Sequence, residues 1–130
     1  MANIMRIGIE ISPGELLDKI SILEIKNERI QDQNKLGHVR RELETLNRSR
    51  SGFVPESDAI ATLYSELKAI NEQLWEIEDD IRVLEKASNF GESLIAIARS
   101  VYVTNDRRAG VKRDIDELLE SDIGEVKSYA

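Results

Sequence analysis

The sequence predicts an all-α protein: an antiparallel helical bundle with long coiled-coil-like helices and a short N-terminal strand or arm. Apolar residues recur at alternating spacings of three and four through most of the chain, which is the period of an amphipathic helix. Aromatic residues make up only 5% of the sequence, so Leu, Ile and Val must supply the core, and these side chains suit interdigitating helices. A chain of 130 residues has the size of one domain. We therefore expect a single helical domain over residues 1–130.

The N-terminal residues 1–12 are predicted to be a strand or an arm. Apolar residues alternate with polar residues or glycine from Met5 to Ile11, which is the period of a half-buried strand. A lone strand is not stable and must pair with another segment. The candidates are the C-terminal stretch from Glu125 to Tyr129 and the same strand of a second chain. The segment could equally be a flexible arm.

Two helices are predicted over residues 13–47. Ser12 has the features of an N-cap, because Pro13 occupies the first helical position and Glu15 completes a capping box. Asp32 or Asn34 would cap the second, shorter helix, which is expected to end near residue 47. Ser, Gly and Pro residues then predict a loop over residues 48–57.

The strongest periodic signal predicts one long helix over residues 58–86. At about 1.5 Å per residue this helix would be roughly 40 Å long, and its single apolar seam needs an equally long partner. That partner would be another helix of the chain or a second copy in a dimer. The seam consists of Ile60, Leu63, Leu67, Ile70, Leu74, Ile77, Ile81 and Leu84.

A C-terminal helix, continuous or broken, is predicted over residues 89–120, followed by a tail at 121–130. Its apolar face is interrupted at Thr104, Asn105 and Arg108. Two explanations are open: Thr104 or Asn105 caps a separate helix in solvent, or these residues form a polar site inside the bundle.

Charge and composition exclude several classes of protein. The net charge of −7, from 25 acidic and 18 basic residues, argues against nucleic-acid binding, which requires clustered Lys and Arg. No segment has the roughly 20 apolar residues of a membrane span, and the first residues do not have the pattern of a signal peptide. There is no cysteine and so no disulfide or thiolate site. We expect a cytoplasmic protein that is not inserted in a membrane and has no cofactor.

Two pairs of carboxylates suggest an alternative that would require magnesium. Glu76 and Asp79 share one helix face, and Glu24 with Glu28 on the first predicted helix could supply further oxygen ligands. These pairs resemble the acidic motifs of the all-helical nucleotide pyrophosphohydrolases related to MazG and dUTPases. Glu76 and Asp79 match the second pair of that family, whereas Glu24 and Glu28 are four residues apart where the family has three.

The same resemblance implies a set of residues that face phosphate: Asn105, Arg108 and Lys112. The opposite interpretation is that the carboxylates are solvated and pair with Lys or Arg on the protein surface, where such pairs add little stability. In that case no magnesium is bound.

The chain also resembles a family of short bacterial proteins classed only as a domain of unknown function. The resemblance implies an all-helical, single-domain protein without an established activity, whose members often occur among genes for cell-surface polysaccharide assembly. It nominates Glu24, Trp75, Glu76, Asp79, Asn105, Asp106 and Arg108 as positions where a function could be found. It is carried by SPGELLDKI at 12–20 with ILEIK at 22–26, LWEIEDDIR at 74–82, ARSVY at 98–102 with TNDRR at 104–108, and KSY at 127–129.

Two hypotheses of function follow. The first is a non-enzymatic helical interaction protein, a homodimer or other homo-oligomer with a further protein partner possible, accessory to cell-surface polysaccharide assembly. The alternative is the magnesium-dependent pyrophosphohydrolase. The sequence alone does not decide whether the protein is an enzyme.

Overall fold

The computed structural model describes residues 4–124, which contain four α-helices. They are α1 (Pro13–Arg29), α2 (Gln33–Phe53), α3 (Asp58–Lys86) and α4 (Glu92–Leu118). No strand occurs within residues 4–124. The all-α prediction is therefore confirmed. None of these helices combines the length and the apolar character that crossing a membrane requires.

Side-chain caps fix where three of the helices begin. The hydroxyl of Ser12 accepts a hydrogen bond from the backbone N–H of Glu15 at 3.1 Å, as the sequence predicts. Asp32 caps α2 by accepting from two backbone N–H groups, and Ser57 caps α3 by accepting from that of Ile60 at 3.1 Å. Each cap satisfies donors that the first turn of a helix leaves unpaired.

The predicted loop at residues 48–57 is wrong over most of its length. Helix α2 continues to Phe53, six residues beyond the predicted end, and only residues 54–57 connect it to α3. Arg50 explains the extension: its guanidinium donates to Glu56 and lies 4.6 Å from the ring centroid of Tyr64. Val54, immediately after the helix, is buried in the core. These contacts outweigh the weak helix propensity of Ser and Gly in this stretch.

The C-terminal helix is not broken at Thr104. Helix α4 runs without interruption through Thr104 and Asn105 to Leu118. Thr104 is buried and the Arg108 side chain reaches helix α1, so neither begins a new helix in solvent. Of the two explanations offered by the sequence, the polar site inside the bundle is correct.

The N-terminal segment is an arm that forms no strand within the described part of the single chain. Residues 4–10 are all exposed, and residues 4–12 have no regular secondary structure. The proposed pairing partner at residues 125–129 lies outside the described residues.

Helix α1 is the centre of the packing. It packs against each of the other three helices, whereas the backbone of α2 approaches that of α1 alone, and α3 packs along α4. One apolar cluster joins the helices, and Leu43 and Leu46 of α2 pack against it while remaining partly buried. Its buried members are Leu16, Leu17, Ile20, Val54, Ile60, Leu67, Ile70, Leu74, Val111 and Ile115.

The far ends of α3 and α4 extend beyond this core. The last buried residue of α3 is Leu74 and the first buried residue of α4 is Thr104. Residues 75–103, which include the turn between the two helices, contain no buried residue. We call this segment the distal hairpin. It results from the difference in length between α1, with 17 residues, and its longer neighbours α3 and α4, with 29 and 27.

Candidate functional site

The structure places Glu24 and Glu28 together on α1, facing α3. Glu24 accepts a hydrogen bond from the hydroxyl of Tyr64, and its other oxygen lies 3.5 Å from the ammonium of Lys68. Glu28 lies 2.5 Å from the same ammonium. Both carboxylates are therefore engaged with side chains of α3.

The second predicted pair, Glu76 and Asp79, is exposed and lies elsewhere. Glu76 is 3.5 Å from the guanidinium of Arg29, which also lies 6.0 Å from the ring centroid of Trp75. Asp79 pairs with Arg82 on its own helix at 3.5 Å. Within residues 4–124, no group of three or more His, Asp or Glu side chains is arranged to hold a metal ion. The magnesium site remains a prediction from the sequence alone.

Burial and hydrogen bonds change the pKa values of Tyr64, Lys68 and Glu56. Burial, with a smaller contribution from the hydrogen bond to Glu24, raises the pKa of the Tyr64 phenol well above 10. Hydrogen bonding to Glu28 raises the pKa of Lys68. Hydrogen bonding to Arg50 lowers the pKa of Glu56. Tyr64 thus stays neutral as a donor to Glu24, and Lys68 stays charged beside Glu28, so both contacts join α3 to α1. Glu56 stays charged beside Arg50, where it fixes the connection between α2 and α3.

The three residues expected to face phosphate lie on α4, and two of them bind carboxylates of α1. The Arg108 guanidinium donates to both oxygens of Asp18, through Nε at 2.9 Å and through Nη2. The Lys112 ammonium lies 2.6 Å from a carboxylate oxygen of Glu15. Asn105 is half-buried. The structure therefore brings Arg108 and Lys112 together around α1.

Asp18 is the centre of a polar cluster inside the bundle, and only 1% of its surface is exposed. The Asn71 amide of α3 donates to Asp18 at 2.9 Å and to the hydroxyl of Ser21 at 2.8 Å. The Lys112 ammonium lies 3.9 Å from the second Asp18 oxygen. We call this set the polar core: Asp18, Ser21, Asn71, Arg108 and Lys112. A charge buried this deeply is tolerated because it is both paired and hydrogen-bonded.

The first turn of α1 lies directly against α4. The backbone N–H of Gly14 donates to a carboxylate oxygen of Asp116 at 2.7 Å. A Cβ atom at position 14 would lie 2.5 Å from the carbonyl oxygen of Lys112, closer than real Cβ atoms approach. Glycine at position 14 is therefore what allows the two helices to come together. The Asp116 carboxylate also meets the positive end of the α1 dipole.

Sequence reasoning missed Gly14, Asp18, Ser21, Asn71 and Asp116, although the sequence holds a signal for some of them. On α1, the buried residues Gly14, Asp18, Ser21 and Ile25 follow at spacings of four, three and four, as an apolar stripe would. On α4, Thr104 and Arg108 occupy the positions that continue the seam from Ile97 and Val101 into Val111 and Ile115. Polar residues of opposite charge at seam positions of two helices indicate a buried pair.

The polar core can hold α1, α3 and α4 in one register. Its members make bidentate, directional contacts that a one-turn slip of α1 would break. Its two cationic side chains, Arg108 and Lys112, pair with the carboxylates of Asp18 and Glu15 on α1. The polar core therefore stabilises the packing of the helices.

The distal hairpin differs because its apolar residues are uncovered. The seam continues into it, yet the side chains there are only half-buried. Those half-buried residues are Ile77, Ile81, Leu84, Leu94, Ile97 and Val101. Further apolar side chains are exposed on its outside: Val83, Phe90, Ile95, Tyr102 and Val103. These side chains make the distal hairpin a candidate surface for contact with another molecule.

Comparison with known protein families identifies the family of this chain. The sequence matches a family of unknown function (DUF6165) over residues 7–130. The chain belongs to the DUF6165 family. No curated protein and no solved structure matches it. The DUF6165 match confirms the resemblance to an uncharacterised family. It includes all four helices, and with them the polar core and the distal hairpin.

Proposed function

We propose that this protein is a non-enzymatic helical interaction protein that forms a homodimer through its distal hairpin. The observation that carries the proposal is the uncovered apolar surface of residues 75–103. The half-buried seam residues, and the exposed Ile95 and Tyr102 next to them in sequence, lack the cover that the core gives to α3 before Leu74.

Two antiparallel helices cannot bury a shared seam, because each side chain still has one open side. A second pair of helices closes the seam, as in a four-helix bundle. A second copy of the chain supplies a hairpin of the same length and the same apolar pattern. Packing the two around a two-fold axis lets each hairpin cover the other with identical residues. This self-complementarity is the reason for choosing a second copy as the occupant.

Net charge opposes this association and gives it a characteristic salt dependence. Each copy carries a net charge of −7, so two copies repel one another at low ionic strength. Salt at about 0.5 M screens this repulsion and strengthens contacts that depend on apolar burial. Association through the hairpin should therefore tighten as salt is added.

Sedimentation equilibrium from about 1 to 100 µM protein tests the proposal, since a dimer must form by mass action. Replacing Ile95 and Tyr102 with Gln removes two exposed apolar side chains seven residues apart on α4 and should abolish the dimer. The matched control is Phe53→Gln, because Phe53 is 85% exposed and lies outside the hairpin. A wild-type chain that remains monomeric throughout this range shows that the proposal is wrong.

The family resemblance supplies a setting for this activity. We propose an accessory role in cell-surface polysaccharide assembly, in which the dimer presents its helices to another protein of that pathway. Support for this part comes only from the resemblance described above. Affinity purification of the wild-type dimer and of the Ile95→Gln/Tyr102→Gln variant tests it, since a partner of that pathway should be recovered with the dimer alone.

No observation favours the pyrophosphohydrolase as a second function. That activity needs Glu24, Glu28, Glu76 and Asp79 to converge on one metal. In the described part of the chain they lie in two places and each contacts a basic side chain or Tyr64.

A further inference from the structure

The N-terminal arm carries a two-sided pattern that the bundle does not use. The exposed fractions of Ile4, Met5, Ile7 and Ile9 lie between 74% and 86%. Odd-numbered positions from Met5 to Ile11 are apolar, and the positions between them are Arg6, Gly8 and Glu10. In extended backbone, alternate residues point to opposite faces. In an extended conformation the arm would therefore present an apolar face from Met5 to Ile11 and an opposite face that carries Arg6 and Glu10.

The arm has a row of backbone donors and acceptors that no strand of residues 4–124 satisfies, because those residues contain no strand. Exposed apolar segments that can adopt extended backbone pair readily with a strand of another chain. A pairing partner must match both faces of the arm.

We propose that the arms of two copies pair as an antiparallel ribbon centred on Gly8. This inference rests on the proposed self-association and adds a second contact to the same dimer. In this register Arg6 of each copy lies opposite Glu10 of the other, so two oppositely charged pairs form on one face. On the other face Ile7 of each copy lies opposite Ile9 of the other. Opposite charges and apolar side chains are the cross-strand pairs that stabilise sheets.

Other registers of the two arms do not pair opposite charges with one another and apolar side chains with one another. A shift by two residues places Arg6 opposite Gly8 and moves Glu10 opposite Ile4. A shift by one residue turns apolar side chains toward the charged face. A parallel, in-register ribbon sets Arg6 against Arg6 and Glu10 against Glu10, where like charges repel. Only the antiparallel register centred on Gly8 pairs every charge.

The arm leaves the bundle at the end of α1 that lies against Lys112 and Asp116 of α4. Ile11 is partly buried and packs against the core, and the next residue, Ser12, caps α1. The arm is thereby anchored at its Ser12 end, and residues 4–10 are exposed to a second copy. Gly8 has open space around it, since a Cβ atom placed there would meet no atom within 4 Å. Two strands can approach closely at this residue.

Disulfide trapping tests the register directly, because the chain has no cysteine. In Gly8→Cys the two new thiols face each other, at a Cα separation of about 4.5–5.5 Å that a disulfide spans. The matched control is Gly52→Cys, which is also exposed and also has no atom near its Cβ position. Mild oxidation should convert Gly8→Cys to a covalent dimer at least tenfold faster than Gly52→Cys.

Charge exchange tests the pairing without a cross-link. Arg6→Glu and Glu10→Arg each turn two attractive pairs into repulsive ones, and each should weaken dimerisation about tenfold. The double variant Arg6→Glu/Glu10→Arg restores opposite charges and should regain wild-type association. Recovery in the double variant separates pairing from a general effect of charge.

The outcomes separate the two proposals. If the wild-type chain sediments as a monomer up to about 100 µM, self-association and the ribbon are both wrong. If it dimerises, but the charge variants leave the dimer unchanged and Gly8→Cys cross-links no faster than Gly52→Cys, the ribbon alone is wrong. If the charge effects and the cross-link appear while Ile95→Gln/Tyr102→Gln has no effect, the ribbon stands and the hairpin contact is wrong.

Discussion

The ion pair between Asp18 and Arg108 gives the sharpest test of how the bundle is held together. We consider Asp18→Asn, Arg108→Gln and the double variant, which remove the charges while keeping side chains of similar shape. The two residues are 90 positions apart in sequence and join α1 to α4 through bidentate hydrogen bonds. Their coupling therefore reports on tertiary structure alone.

The expected magnitudes follow from the burial of each partner. Arg108→Gln leaves a carboxylate that is 1% exposed with only the Asn71 amide and the more distant Lys112 nearby. Breaking a buried pair in this way should lower the free energy of unfolding by about 3–5 kcal/mol. Asp18→Asn leaves Arg108, whose side chain is 29% exposed and can turn toward water. Asp18→Asn should therefore lower the free energy of unfolding by a smaller amount, about 2–3 kcal/mol.

Urea unfolding at one fixed protein concentration measures these effects, since the stability of a dimer depends on concentration. At a slope of about 2 kcal/mol per molar urea, a loss of about 3 kcal/mol lowers the midpoint by about 1.5 M. The double variant should be more stable than the sum of the single losses predicts, by about 1–3 kcal/mol. The control is Glu44→Gln, which breaks an exposed pair with Arg48 and should change stability by less than about 1 kcal/mol. Additive losses, or losses no larger than that of the control, would refute the reasoning.

Three further predictions concern other contacts. Gly14→Ala places a carbon 2.5 Å from the Lys112 carbonyl oxygen and should cost about 1–3 kcal/mol in unfolding free energy, whereas Gly52→Ala, in open space, should be neutral or stabilising. The raised pKa of Tyr64 means that only the unfolded state loses its phenolic proton just above pH 10, so stability should fall there by up to about 1.4 kcal/mol per pH unit. Urea midpoints from about pH 9 to 11 should show this fall, and Tyr64→Phe should reduce it whereas Tyr102→Phe, at an exposed tyrosine, should not. Incubation with nucleoside triphosphates and magnesium should release no pyrophosphate; release that Glu76→Gln abolishes would restore the hydrolase hypothesis.

Local patterns in the sequence were enough to predict most of the helical architecture. The cap at Ser12 depends only on residues 12–15, and the apolar seam of α3 repeats over many turns. Both can therefore be predicted from the sequence without knowledge of the fold. The end of α2 could not be predicted from local sequence, because Arg50 and Val54 extend the helix through contacts with Glu56, Tyr64 and the core. Tertiary contacts there override local propensity.

Only part of the polar core could be predicted from the sequence. Thr104 and Arg108 interrupt the predicted apolar face of the C-terminal helix, but the sequence around them does not indicate that Arg108 pairs with Asp18. Asp18 lies beside Leu17 and Lys19, where a carboxylate looks solvated until α4 is known to lie against that face. Which helix faces which depends on packing, and packing pairs residues that the sequence keeps far apart.

The central position of α1 also sets the order in which the protein can fold. Helices α3 and α4 are neighbours in sequence and are joined by a short turn, so they can meet by closing a small loop. Helix α1 gains most of its burial only by docking on both of them, and Asp18 must lose its water as it does so. We expect the α3–α4 pair to form before the transition state and the Asp18 contacts after it. Arg108→Gln should then speed unfolding and leave the folding rate nearly unchanged, and a markedly slower folding rate would reverse that order.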